Sequence, residues 1–372
     1  MKHERPDTTQ GRSTATHLLL GALAFGSLAA TQPATAQALR DGRIGYVMTE
    51  RRWAVYETED GKTECPNGFN LGPREQFAIL FPASSGKVYT EVESHLMREG
   101  LAFHDMESKE PFPFHDAQGP ISYGLNLDGK IGPNDFQSPE GVKGVDNQLY
   151  RAIGCIGAYR LNGVVSFFDT DDMYDNGYNR WMIELTGVDD LVNDDDVTVT
   201  TYRGLDDLQR DGTGSAFAPG STQEVDVRWG QSFISQLKGK IVNGVLTTEP
   251  IDRLKWPNSQ PGVASGYYII RGSRLELQLT DQVAKGFLAG YVDVESFSHQ
   301  LNTNWATHHQ SYGQLSASSL HRALRRLADA YPDPKTGVNT AISSAVQLTL
   351  TQVYLVHPQK KTVVAKSGAS SR

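Results

Sequence analysis

Cysteine is nearly absent from this 372-residue sequence, which has only Cys65 and Cys155. No C-x-x-C and no C-x-x-C-H occurs, which excludes c-type haem attachment. The lone pair leaves three readings: a disulfide, two free thiols or part of a metal site. In an oxidising compartment the disulfide is the expected state. It would close a loop of about 90 residues and contribute roughly 4 kcal/mol on the chain-entropy view. Long apolar runs are missing as well. No stretch reaches the ~20 residues that a membrane-spanning helix needs. Patterns of the G-x-S-x-G, Walker, H-E-x-x-H and dinucleotide-fingerprint types are absent. The interior has no Pro-, Gly- or Ser-rich linker and no repeat. Basic charge is in deficit: the formal net charge is -8, which argues against nucleic acid and anionic membrane surfaces.

What is present begins at the N-terminus. Lys2, Arg5 and Arg12 precede the apolar run HLLLGALAFGSLAA, and small residues follow in TQPATAQA. Ala34-Thr35-Ala36 and Ala36-Gln37-Ala38 both fit an A-x-A cleavage pattern. Residues 1–38 are therefore expected to be a secretory signal peptide, cut near Ala36 or Ala38, and the mature chain to be periplasmic or secreted. Residues 39–358 are expected to form one large or two packed β-rich domains. Residues 359–372, basic and without apolar periodicity, read as a disordered tail.

Strand signals dominate. KIVNGVLTT and YRLNGVVSFF both place Asn-Gly between apolar runs, the preferred sequence of a two-residue type I′ hairpin. WAVYETEDGKTEC does the same with Asp60-Gly61. SRLELQLT alternates through Leu275, Leu277 and Leu279, and AVQLTLTQVYLVH through Val346, Leu348 and Leu350. WMIELTG and DVTVTTYRG are further candidates. The expected fold is a mainly antiparallel, jelly-roll-like β-sandwich with a few short helices. One amphipathic helix stands out near the C-terminus, in SASSLHRALRRLADAYPDP, with Leu320, Leu324, Leu327, Ala328 and Tyr331 on one face. Two more helices are expected, one near Ser84 and one after Asp146 with Leu149 and Ile153 facing inward.

The stretch LNLDGKIGPNDF carries the sharpest local signal. With Gly129 at the turn, Asn126, Asp128, the Lys130 carbonyl and Asp135 fall at ligand positions 3, 5, 7 and 12, and Ile131 at position 8. Over these twelve residues the chain resembles a dockerin-type calcium loop. Position 1 is Gly124 where that pattern has Asp, so further oxygens would have to come from Asp146, Asn147 or the run with Asp169, Asp171, Asp172 and Asp175. The alternative is a solvated turn, because Asn, Asp and Gly favour turns for backbone reasons alone. A calcium ion here would be structural.

Three short patterns invite an enzyme reading. Ser84-Ser85-Gly86-Lys87, Tyr174-Asp175-Asn176 and Lys335-Thr336-Gly337 resemble, in order, the motifs of penicillin-binding proteins and serine β-lactamases. The resemblance implies Ser84 as nucleophile, Lys87 as base, and Asn176 and Lys335 as substrate-orienting groups. The context differs from that family: Pro332 and Pro334 place K-T-G in a turn, and Gly86 interrupts the first turn of the helix that S-x-x-K should open. His299, His308 and His309 either hold zinc or copper in a periplasmic enzyme or are ordinary surface or core histidines. The lack of H-E-x-x-H favours the second reading, as do adjacent His308 and His309, which on a strand point to opposite faces. Trp181, Trp229, Trp256, Trp305, Tyr267 and Tyr268 either fill the core or line a sugar- or peptide-binding face. The reading that follows is an exported, non-catalytic binding or assembly protein of the cell envelope, with a disulfide, a possible structural calcium ion, and an envelope protein or glycan as partner. The alternatives are the serine hydrolase or acyltransferase and the metal-dependent enzyme.

Overall fold

Eight segments with alternating apolar residues become eight antiparallel strands. The computed structural model describes residues 39–70, 97–98, 101–102, 114–175, 180–258, 266–303 and 317–358. The strands are β1 Arg43–Trp53, β2 Trp181–Thr186, β3 Asp194–Arg203, β4 Ser235–Val242, β5 Val245–Thr248, β6 Tyr267–Leu279, β7 Val283–Asp293 and β8 Asn339–Val356. Each pairs with the next in chain order. β1 then pairs with β8, from Gly45 opposite Val353 to Trp53 opposite Val346. That pairing closes the sheet into an eight-stranded barrel, and three short strands extend it outside the ring. The expected sandwich is thus corrected to a barrel. Both architectures bury one face of every strand, so alternation looks the same in each. The deciding contact joins the first and last strands, which no local pattern records.

The inner face is apolar and filled. Tyr46 and Met48 of β1 stand beside Ile183 and Leu185 of β2, Val197 and Val199 of β3, Leu237 and Ile241 of β4, and Leu246 of β5. The Leu275, Leu277, Leu279 stripe of β6 and the Val346, Leu348, Leu350 stripe of β8 complete the ring, as the alternation predicts. An eight-stranded barrel is just wide enough for such side chains to fill it.

The three expected hairpins have different outcomes. Asn243 and Gly244 both take positive φ and join β4 to β5 as a two-residue turn. Asp60-Gly61 makes a turn without flanking strands: Gly61 has φ +67° and its carbonyl accepts from the Cys65 N–H. Asn162-Gly163 leads into a helix, α2, which is the correction of the strand expected there. The helices are α1 Gln148–Ile153, α2 Val164–Asp175, α3 Val294–Thr303 and α4 Ala317–Leu327. In α2, Met173 is fully buried and Thr170 Oγ1 donates to the Arg51 carbonyl, so tertiary contacts override a β-prone local sequence.

α1 buries Leu149 and Ile153 as expected. α4 buries Leu320 and Leu324 but stops at Leu327, because Ala330–Pro332 leaves the helix to pair with the start of β8. The helix expected near Ser84 lies outside the described residues. Leu149, Ile153, Phe297, Leu320 and Leu324 belong to the same apolar cluster as the barrel interior, so α1, α3 and α4 extend that core. Outside the wall, Val225 packs on Val47, Met182 and Val353, and Leu127 on Ala289 and Ala345. Cys65 and Cys155 are bonded to each other. Among the described residues no helix is long and apolar enough to cross a membrane.

Candidate functional site

One irregularity in β1 sets the chemistry of the barrel's helix-covered end. The register with β8 shifts between Met48 and Glu50, leaving Thr49 as a bulge. Strict alternation after Met48 would turn Glu50 inward and Arg51 outward. The bulge reverses this: Arg51 stands opposite Leu348, on the inner face, and Glu50 and Arg52 face out. Bulges re-aim side chains in this way beside functional sites.

Arg51 is 1% exposed. Its Nη1 donates to the Pro257 carbonyl at 3.0 Å, and its Nη2 donates to Asn258 Oδ1 at 2.5 Å and to Asp169 Oδ1 at 2.9 Å. The guanidinium carbon lies 4.8 Å from the ring centre of Trp256. Trp53, one inward position further along β1, packs edge-on against Trp256, Tyr268 and Phe297 at 6.2, 5.5 and 5.5 Å. Burial, with the nearby Asp169 charge adding, pushes the Tyr268 hydroxyl well up, so it stays protonated. Two donors in this group, Arg51 Nε and Trp256 Nε1, are buried without an acceptor.

Two more buried arginines lie toward the same end. Trp181 pairs with Arg203, and Arg180 immediately precedes it. Arg180 donates to Asp207 Oδ1 at 2.7 Å and to the Leu205 carbonyl at 3.3 Å. Arg203 lies 4.8 Å from the ring centres of both Trp229 and Phe233. Its guanidinium is brought down to about 10, first by burial and then by the Arg228 charge, with Asp226 opposing. Arg51 and Arg203 each hold a guanidinium against aromatic rings, a setting suited to binding an anion.

The aromatic residues divide accordingly. Trp181 and Trp256 fill the core, and Tyr268 is 6% exposed. Trp229 and Tyr267 are half-buried and bridged edge-on by Phe233 at 6.1 Å each. Arg203 and Lys255 cover faces of these rings, and the steep angles between them give no flat surface for a sugar.

The candidate calcium residues Asn126, Asp128, Lys130 and Asp135 share one turn on the outer side of the barrel. Asn126 Oδ1 accepts from the Gly129 N–H and its Nδ2 donates to the Lys130 carbonyl. Asp128 Oδ1 accepts from Lys130 N–H, and Asp135 Oδ2 from Gly132 N–H. Asp146 reaches underneath, its Oδ2 accepting from the Leu127 and Asp128 N–H groups. Each carboxylate therefore uses one oxygen as a turn cap. Among the described residues no group of three or more His, Cys, Asp or Glu is gathered to hold a metal ion.

Ser84, Lys87 and Asn176 lie outside the described residues, as do His308, His309 and Trp305. Lys335 is exposed in the turn before β8, where its N–H donates to Asp333 Oδ1. His299 is exposed on α3. Arg51 itself was missed. It reads as one more charge in TERRW, and only the bulge, set by pairing with a distant strand, turns it inward. Comparisons with family models, curated proteins and solved structures found no match.

Proposed function

We propose that the chain is an exported, non-catalytic binding protein of the cell envelope, whose barrel end receives an anionic group at Arg51. The observation that carries the reading is the inward turn of a guanidinium fork into an aromatic-lined barrel end. Signal-like residues 1–38 support export, and the Cys65–Cys155 bond fits an oxidising compartment. The test is a thermal-shift series on the full chain with acetate, hexanoate, benzoate, phosphate and sulfate. A ligand that binds only the native state raises its stability by RT ln(1 + [L]/Kd), about 1.4 kcal/mol at tenfold excess. We expect a carboxylate to raise the Tm of the wild type and not of Arg51→Met. Arg51→Lys, which keeps the charge and loses the fork, should respond weakly. Equal responses in all three proteins to every anion would end this reading.

Calcium is the second part of the proposal. Asp128, Asp135 and Asp146 each retain a second carboxylate oxygen, and a cation would draw these together. The Asp146 carboxyl is pushed up to about 6, mainly by burial, with the Asp135 and Asp128 charges adding to it. Its folded value thus lies above the ordinary value of about 4. The stability it contributes is fully present below pH ~4 and is lost as pH rises through about 6. In chelator we expect this window to cost about 1–2 kcal/mol. Millimolar calcium should reverse the trend, because the ion binds the ionised form. Asp146→Asn should abolish both effects in melts at pH 4, 5, 6 and 7. A wild-type Tm indifferent to calcium at pH 7 would leave the stretch as a turn only.

A further inference from the structure

We propose that Asp169 holds, from within the chain, the place of an external monocarboxylate, so that α2 is a built-in competitor for the Arg51 site. The inference rests on the reading of the barrel end as an anion site. The two halves of the ion pair come from different layers. Arg51 belongs to the barrel wall, where the bulge fixes it. Asp169 belongs to α2, which lies outside the strand ladder and reaches its surroundings through side-chain and backbone contacts, Ser166 Oγ donating to the Tyr159 carbonyl at 3.0 Å among them. Thr170 Oγ1 donates to the Arg51 carbonyl at 3.2 Å, and Arg180 Nε donates to the Met173 carbonyl at 3.4 Å.

The pair is also incomplete. Asp169 engages Arg51 through Oδ1 alone, whereas a guanidinium fork can take a carboxylate through two parallel bonds. Arg51 Nε and Trp256 Nε1 remain without acceptors in the same stack. A free carboxylate, not constrained by a helix backbone, can turn its second oxygen to one of these donors.

The helix face that would leave describes the ligand that would enter. Asp169 and Met173 are four residues apart, so they share one face of α2, and Met173 is fully buried. One carboxylate plus one unbranched apolar side chain corresponds to a short-chain monocarboxylic acid. A phosphate dianion would bring a charge that the departing Asp169 does not leave uncompensated. An intramolecular competitor scales the apparent affinity by the fraction of time it leaves the site free. Disabling it should raise affinity without any new contact to the ligand.

The experiment measures hexanoate binding by calorimetry to the wild type and to Asp169→Asn, which keeps the shape and one acceptor. It also follows amide exchange across residues 164–175 of the wild type. We expect Asp169→Asn to bind hexanoate at least tenfold more tightly, phosphate to bind neither protein, and hexanoate to speed exchange in α2. If both proteins bind hexanoate equally and exchange in α2 is unchanged, the competitor is refuted while the anion site stands. If neither protein binds hexanoate, the anion site itself falls. If phosphate binds as tightly as hexanoate, the assignment to monocarboxylates falls.

Discussion

Replacing both cysteines by alanine is expected to lower the free energy of unfolding by about 4–5 kcal/mol. The bond joins residues 90 apart in sequence, so it removes a large loop from the unfolded ensemble. The native side adds to this. Cys155 is fully buried and Cys65 is 5% exposed. The Asn70 N–H donates to the Cys155 carbonyl, and the neighbouring Glu64 accepts from Thr58 and Arg160. Burial alone would raise the Glu64 carboxyl, but those hydrogen bonds outweigh it and hold it below the ordinary range. A segment without strands of its own is thus pinned beside α1 by one covalent bond and a buried charge network. Urea unfolding with and without reductant, at matched pH, measures the effect. The reduced protein should also show a larger denaturant slope, because its unfolded chain is less compact. A loss under 1 kcal/mol would mean that the polar network alone holds this segment.

What the sequence made legible follows from locality. The inward stripes of β6 and β8 were readable because alternation is a property of adjacent residues. Asn243-Gly244 was readable because positive φ is a property of those two residues alone. Asn162-Gly163 carries the same dipeptide and failed. Its following run, rich in Val and Phe, packs instead as α2 against β1. Barrel closure was not legible, because it depends on β1 meeting β8. Arg51 was not legible for the same reason: one bulged residue in a strand exchanges which side chain enters the core, and the partner strand sets the bulge. The turn with Asn126, Asp128 and Asp135 was legible as a turn. Its link to Asp146 was visible only as a downstream carboxylate with no assigned position.

Arg51→Met and Asp169→Leu should each destabilise the protein strongly, and together they should not. Arg51 has a side chain 2% exposed and Asp169 one 14% exposed, so their pair is largely removed from water. Breaking such a pair leaves a buried charge without its partner and costs about 3–5 kcal/mol. Removing both charges with side chains of similar volume relieves both desolvation costs, and is neutral or stabilising in comparable cases. Pro257 and Asn258 lose a donor in the double variant, which sets a residual cost of about 1 kcal/mol. The expected result is therefore a coupling of several kcal/mol in a double-mutant cycle measured by urea unfolding. Additive single losses would show that the pair is not the contact holding α2 to the barrel. The double variant also separates two roles of Arg51. Its stability should return close to that of the wild type, yet hexanoate should no longer raise its Tm. Recovery of the fold without recovery of the carboxylate response is what distinguishes a binding group from a structural ion pair.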